Sequence, residues 1–502
     1  MRAEDALLPV AIALPVGAML LALCLGGRWT ERIAVAFMPI GVSIAGAVAY
    51  VVWRDQRPLV YFIGGWAPPL GVAIRADGVA AAMLLTSALI ASAAGLFACD
   101  VFRVKPGEKE NRAHLGFWTL LLAIWAALNC VFVGWDLFSI YVGLEMLTFA
   151  AVPLVCLKGQ KETFVAAMRY LLFALLGSVL YLLGATLVYA AYGSLDIGIL
   201  AQKIQPEAAA WIALGAMTAG LLAKTALFPL HIWLPPAHAG AAPPASAILS
   251  ALVVKGSFFV VVRLWLTLAP VQMSEAPAEL LAILGSVAIF AGSVLALRQE
   301  RLKLMIAYST VAQIGYLFLM FPLAIGQHPW ASAAWSGGAL QAISHAFAKA
   351  AMFLSAGLIV DVVGHDRLSG LRGLGRLAPQ PVLIFALAGM SLMGLPPSGG
   401  FNAKWLLMSA SVQSGHWALA LVMAVGGLLT AAYLYRVIAP ALAPAENAPA
   451  ESASTPTPKA SSRGAALSLA LALAAILLGF APPELASLLA VGAPAATIER
   501  IE

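Results

Sequence analysis

Charge is scarce in this sequence: only 10% of its 502 residues are Asp, Glu, Lys or Arg, where soluble domains carry about 25%. Cysteine is scarcer still, at four, and Cys24, Cys99, Cys130 and Cys156 fall in or beside apolar runs with no C-x-x-C and no Cys/His ligand spacing. That excludes the usual iron–sulfur and zinc patterns, so neither a metal nor a cofactor is expected. Also missing are G-x-x-x-x-G-K-[ST] and a strand–GxGxxG–helix unit, the glycine-rich cradles of nucleotide sites. The chain is therefore expected neither to hydrolyse nucleotide nor to carry electrons, and its driving force must come from an ion gradient or from partner subunits. Its first segment lacks a basic start and a clear small-residue cleavage site, so it reads as a first membrane span rather than a cleaved leader.

What is present is hydrophobic: 62% of residues, with mean hydropathy +0.93. Apolar runs of about 18 residues or more mark membrane spans. They fall near 6–25, 33–53, 78–99, 115–133, 135–156, 165–192, 208–228, 244–268, 279–298, 303–325, 338–363, 380–412, 416–437 and 464–482. The expected fold class is an all-α polytopic membrane protein of fourteen transmembrane helices. Spans one to three occupy 1–114, spans four to eight 115–278, and spans nine to thirteen 279–438. A Pro/Ala/Ser-rich stretch over 439–463 reads as a flexible loop, and 464–502 holds the last span and tail.

The net charge of +6 does not point to nucleic acid, because the basic residues are dispersed over loops. Their distribution is informative. Loops after odd-numbered spans, with the span ends beside them, hold 18 Lys and Arg, among them Arg103, Lys158, Arg301, Lys303, Arg372 and Arg436. Loops after even-numbered spans hold 4: Arg54, Arg57, Arg75 and Lys203. The positive-inside rule then puts the odd loops in the cytoplasm and both termini outside.

Two regions break the helical pattern at membrane depth: Lys224 to Pro244 (KTALFPLHIWLPPAHAGAAPP) and Met393 to Lys404 (MGLPPSGGFNAK). Proline removes a backbone donor, glycine loosens the helix, and such breaks survive in lipid only where protein or water satisfies the freed groups. Each carries a lysine within about a dozen residues of a Pro-Pro pair, so spans four to eight and nine to thirteen read as two five-helix repeats with the fourth helix of each broken. Paired interruptions of this kind point to a transport site.

Ionisable residues sit deep in otherwise apolar spans: Glu145, Lys224, Lys255, Lys404, and His345 with Lys349. Each charge at the bilayer centre costs roughly 2.5–3.5 kcal/mol on insertion scales, which makes a path for protons or cations the first reading. Glu145 is mid-helix in DLFSIYVGLEMLTFAAVPL, where burial and a nearby lysine would pull its protonation in opposite directions. Lys224 precedes Pro229, and lysine can accept and release a proton where arginine cannot. His231 and His238 follow at intervals of seven residues and either relay protons or hydrogen-bond the break. Lys255 has no neighbouring acid in sequence. His345 and Lys349 are one turn apart on a single helix face, a relay or a polar patch against a neighbouring helix. Lys404 either ends the series or snorkels, and Arg263 is expected to snorkel near the end of its helix.

With these residues assembled, the chain resembles the antiporter-like, proton-conducting membrane subunits shared by Mrp-type sodium/proton antiporters, respiratory complex I (NADH-quinone oxidoreductase) and membrane-bound hydrogenases. The resemblance is carried by GWDLFSIYVGLE, AKTALFPLHIWLPPAHAGAAPPASAILSALVVK, RLKLMIAYSTVAQIGY, SHAFAKAAMFLSAG and GLPPSGGFNAKW. It implies fourteen helices with two inverted five-helix repeats and broken helices in spans 7 and 12. It also implies an essential acid at Glu145, its partner at Lys224, relays at Lys255 and at His345 with Lys349, and a terminal lysine at Lys404. The partners it implies are other integral membrane subunits, protons and in the Mrp type sodium ions, in a cell inner membrane. The H-A-x-x-K pattern resembles the D-type, hydrogenase and M-type subunits more than the N-type, and lysine at 404, where the M-type usually has glutamate, favours the D-type or a hydrogenase-like subunit. A structural membrane scaffold, whose polar residues only specify packing, is the reading of another class.

Overall fold

A membrane interior offers no hydrogen bonds, so a chain this apolar must satisfy its backbone within each helix. A computed structural model of the protein describes residues 3–103, 112–444, 461–480 and 483–494. Among them, thirteen helices are long and apolar enough to cross a membrane, from Glu4–Leu25 to Ser462–Phe480. The twelfth expected span is missing from that set because it is broken into Pro379–Met393 and Gly399–Gln413, and with it all fourteen are accounted for. The seventh span runs as Ala208–Thr225, unwinds, and resumes as the short helix Leu234–Gly240. Both breaks fall where the proline and glycine pattern put them.

Elsewhere the elements depart from the sequence reading. A two-stranded antiparallel hairpin, Leu59–Phe62 with Ala73–Ala76, follows the second span. It is too short for a periodicity signal to stand out. The ninth span, Val271–Leu297, begins eight residues earlier than expected. The thirteenth, Trp417–Leu442, runs past the expected loop start at 439 because alanine and leucine carry the helix through Pro440. Most of the expected flexible loop, 445–460, and the end of the last span, 481–482, lie outside the described residues.

Loops sort cleanly by parity. After odd spans, Arg301 pairs with Asp366 at 2.9 Å and Arg372 Nε donates to the Pro444 carbonyl at 3.1 Å. At the even-loop end, Leu137 N, at the start of span five, donates to the Leu195 carbonyl at 2.9 Å, and His416 meets Glu279, in the early turns of span nine, at 3.0 Å. The short C-terminal helix Pro483–Ala490 returns to the even side, where Trp335 Nε1 donates to the Leu489 carbonyl at 2.8 Å.

The eighth span, Pro243–Leu268, is buried along its whole length, and the tenth and eleventh, Leu302–Ala324 and Ala331–Val363, nearly so. They form the centre. The sixth and thirteenth turn apolar side chains such as Leu172, Val179, Leu421 and Leu428 outward. Small residues let the inner helices approach: a Cβ on Gly220 would lie 2.2 Å from the Gly177 carbonyl of the sixth span. That crossing brings the sixth and seventh spans together beside the first buried charges.

Candidate functional site

The fifth span, Leu137–Val155, starts where the Asp136 carboxylate accepts from Ser139 N, and Glu145 follows two turns later. Opposite it, Lys224 occupies the last turn of the first half of span seven, which closes at Ala226 in a left-handed conformation (φ 59°). Lys224 Nζ lies 3.1 Å from Glu145 Oε1 and 2.8 Å from Thr148 Oγ1. Ser178 Oγ, next to the Gly177–Gly220 crossing, donates to the same Glu145 oxygen. The lysine side chain is 7% exposed and the glutamate 15%, so the pair is inside the protein with the acid nearer its lateral face.

Beyond this pair, Lys255, Lys349 and Lys404 have only neutral hydrogen-bond partners among the described residues. Thr225 donates to Ser257 at 2.9 Å, which leads into the eighth span. There Lys255 is fully buried and its Nζ donates to the Ser250 carbonyl at 2.7 Å. Residues Leu249–Val253 form a π-helical stretch whose wider i→i+5 ladder leaves that carbonyl available. Ser250 Oγ and Thr310 Oγ1 are 2.9 Å apart, crossing to span ten. Lys349, in span eleven, donates to Ser309 Oγ at 2.5 Å and to the Ile306 carbonyl at 3.1 Å. His345 is one turn away, 1% exposed, and neither ring nitrogen has a hydrogen-bond partner among the described residues. Next to it, Ser344 Oγ meets Ser391 Oγ at 2.9 Å, in the first half of span twelve.

Lys404 closes the series. It lies in the second half of span twelve, but its Nζ reaches back to the Leu392 carbonyl at 2.6 Å and the Met393 carbonyl at 3.4 Å, with the Tyr316 ring 4.1 Å away. It caps the broken end of the first half-helix and does not snorkel. Gln313 donates to the same Leu392 carbonyl at 3.1 Å and accepts from Gln341 at 3.3 Å. A file of polar groups thus runs through spans five, seven, eight, ten, eleven and twelve. Among the described residues, Lys224 alone of its four lysines has a carboxylate partner.

The two histidines of the first break are separated. His231 stacks on Phe228 with ring centroids 5.2 Å apart, and its Nδ1 has no partner among the described residues. His238 is completely buried, stacks on Phe353 at 4.7 Å, and has no described partner on either nitrogen. Arg263 overturns its expectation. Instead of snorkelling it is 1% exposed and grips Asp77 through two hydrogen bonds of 2.5 and 2.8 Å, because Asp77, at the start of span three, supplies a buried counter-charge that distance in sequence concealed. The connecting hydroxyls Ser250, Ser257, Ser309 and Thr310 carried no sequence signal, since Ser and Thr are ordinary in membrane helices. Lys303 is a buried lysine whose Nζ donates to the Ala241 carbonyl at 3.1 Å, and in sequence it is indistinguishable from the loop and span-end cations because it stands at a span edge.

Comparison with known proteins bears on the same region. Residues 135–430 match the family described as NADH:quinone oxidoreductase/Mrp antiporter, TM. The chain is 33% identical over 407 residues to the N-type subunit of the NADH-quinone oxidoreductase of Desulforudis audaxviator, covering 80% of this chain and 79% of that one. It is 26% identical over 433 residues to the D-type subunit of the Na(+)/H(+) antiporter of Alkalihalophilus pseudofirmus, covering 84% of each. The fold matches a chain of the Mrp complex of Dietzia sp. with a TM-score of 0.84 over 97% of both chains, at 23% identity. The higher identity to the N-type than to the D-type relative runs against the subtype that the H-A-x-x-K pattern favours. The span of the match, enclosing every residue from Glu145 to Lys404, makes this chain a member of the NADH:quinone oxidoreductase/Mrp antiporter membrane-subunit family.

Proposed function

We propose that this chain translocates protons across a cell inner membrane as the antiporter-like subunit of a multi-subunit complex. The single observation that carries the reading is the buried ion pair Glu145–Lys224 continuing into three buried lysines that, among the described residues, have neutral partners and no carboxylate. A lone ammonium in such a place is costly, whereas a row of amines can pass one proton along it. Weakening the Glu145–Lys224 pair frees the Lys224 proton toward Thr225, Ser257 and Lys255. It then moves to Lys349 and His345 and on to Lys404. Moving one charge across 100 mV costs about 2.3 kcal/mol, a scale that modulation of one buried ion pair can meet. His231 and His238 are side relays off the break, the odd loops face the cytoplasm, and both termini face outward.

The coupling is either sodium/proton exchange or redox-driven pumping with electrons carried by other subunits. The identity to a quinone-oxidoreductase subunit favours the second, and the Mrp-type relatives the first. Purifying the intact complex in mild detergent and identifying its subunits separates them, by the presence or absence of redox subunits. The translocation itself is tested with Lys224→Ala in proteoliposomes of that complex. Proton uptake should fall to background while assembly persists, and normal uptake would leave the polar file as a packing device.

A further inference from the structure

Among the described residues, no hydrogen bond of the file runs on to an odd loop, and the short helix Leu234–Gly240 of the first break ends against Lys303 at that end. We propose that Lys303 is the proton entry on the odd-loop side, passing protons through His238 to Lys349. This rests on the translocation reading above and deepens it.

Lys303 stands in the first turn of span ten, where the positive end of the helix dipole disfavours a cation. It is nevertheless only 7% exposed. On its outer side it feels the charges of Lys158, Arg301, Asp361 and Asp366, all at the odd-loop end. On its inner side its Nζ touches the Ala241 carbonyl, which closes the segment Leu234–Gly240 that carries His238. His238 in turn lies within the fields of Lys349, Lys303 and Lys255. Its ring rests on Phe353, one helical turn past Lys349. A fully buried imidazole with no described partner on either nitrogen is an open link, since buried polar groups are otherwise hydrogen-bonded. It has an acceptor nitrogen to take a proton and, on the opposite side of the ring, an N–H to give one.

The transfer balances with no other reactant. An N–H bond of the Lys303 ammonium breaks and one forms on a His238 ring nitrogen, leaving a neutral amine, with one intervening water accepting a proton as it gives up another, since neither ring nitrogen touches a lysine directly. The imidazolium then releases the proton on its other nitrogen to a neutral Lys349 amine in the same way. Lys303 is afterwards reprotonated from the odd-loop side. The competing role for Lys303 is a plain cap on the Ala241 carbonyl, which an arginine would fill equally well.

That difference sets the experiment. Lys303→Met, Lys303→Arg and Lys303→His are made in the intact complex, and proton uptake into proteoliposomes is followed with a pH-sensitive dye between about pH 5.5 and 9. The Met and Arg variants should both lose about tenfold or more in rate, because neither delivers a proton. The His variant should keep transport at acidic pH and lose it as pH rises through about 6.5, the ordinary value for imidazole. An arginine variant at the wild-type rate, or a His variant with the wild-type pH profile, overturns the proposal. Failure of the translocation reading is a separate result: Lys224→Ala alone would then leave uptake unchanged.

Discussion

Arg263 and Asp77 show how much a single side chain's partner matters. Both are almost completely buried, 2% and 1% exposed at the side chain, and the carboxylate also accepts from Ala80 N at the start of span three. Asp77→Asn leaves the guanidinium without a counter-charge. A loss of roughly 3–5 kcal/mol is expected, seen as a lower Tm in detergent. The double change Asp77→Leu with Arg263→Met should be milder, since no lone charge remains. At the other ion pair the aim is function. Glu145→Gln retains hydrogen bonding to Ser178 and Lys224 but removes the charge, so uptake should drop sharply in a complex that still assembles, as checked by size-exclusion profile. The identities of Glu145, Lys224, Lys255, Lys349 and Lys404 were evident from sequence because a charge in an apolar run stands out. Asp77, Lys303 and the hydroxyls were not, because they stand at span edges or are polar residues that any helix tolerates.

Elements place these side chains through close crossings and breaks. Gly394 ends the first half of span twelve at φ 84°, and a Cβ there would lie 2.9 Å from Lys404 Cδ. Gly394→Ala therefore strains the backbone and pushes the lysine off the Leu392 carbonyl. Transport should fall with little change in expression. Gly220→Ala meets the Gly177 carbonyl and must part the sixth and seventh spans, at a cost of about 1–3 kcal/mol. Both a lower Tm and reduced uptake are expected, because Ser178 leaves Glu145. Proline and glycine announced both breaks in the sequence. The π-helical turn before Lys255 gave no such signal: its residues, Leu249–Val253, would read equally well as α-helix, and only the packing around span eight selects the wider ladder.

On the scale of the whole molecule, the exposed side of span five carries Phe138, Val142, Met146 and Phe149 beside the partly exposed Glu145. A carboxylate so near a lateral face needs cover from protein rather than lipid. A Phe149→Cys variant should cross-link to a neighbouring subunit in the native complex, and capture of lipid-soluble reagent alone would argue against cover there. Lys203→Cys and Arg376→Cys, on even and odd loops, should react with an impermeant maleimide from opposite sides of the membrane.

The amino-acid sequence by itself determined that the chain lives in a membrane, how often it crosses, where two crossings break and which cations are trapped inside. Those properties follow from local composition, from transfer cost and from what proline and glycine do to a helix. Tertiary structure alone decided who meets whom. Lys224 finds a carboxylate while Lys255, Lys349 and Lys404 find carbonyls and hydroxyls, and Arg263 is held by an acid from five spans earlier. Partnership across helices depends on crossing geometry set by small residues far apart in the chain, and no local pattern encodes it.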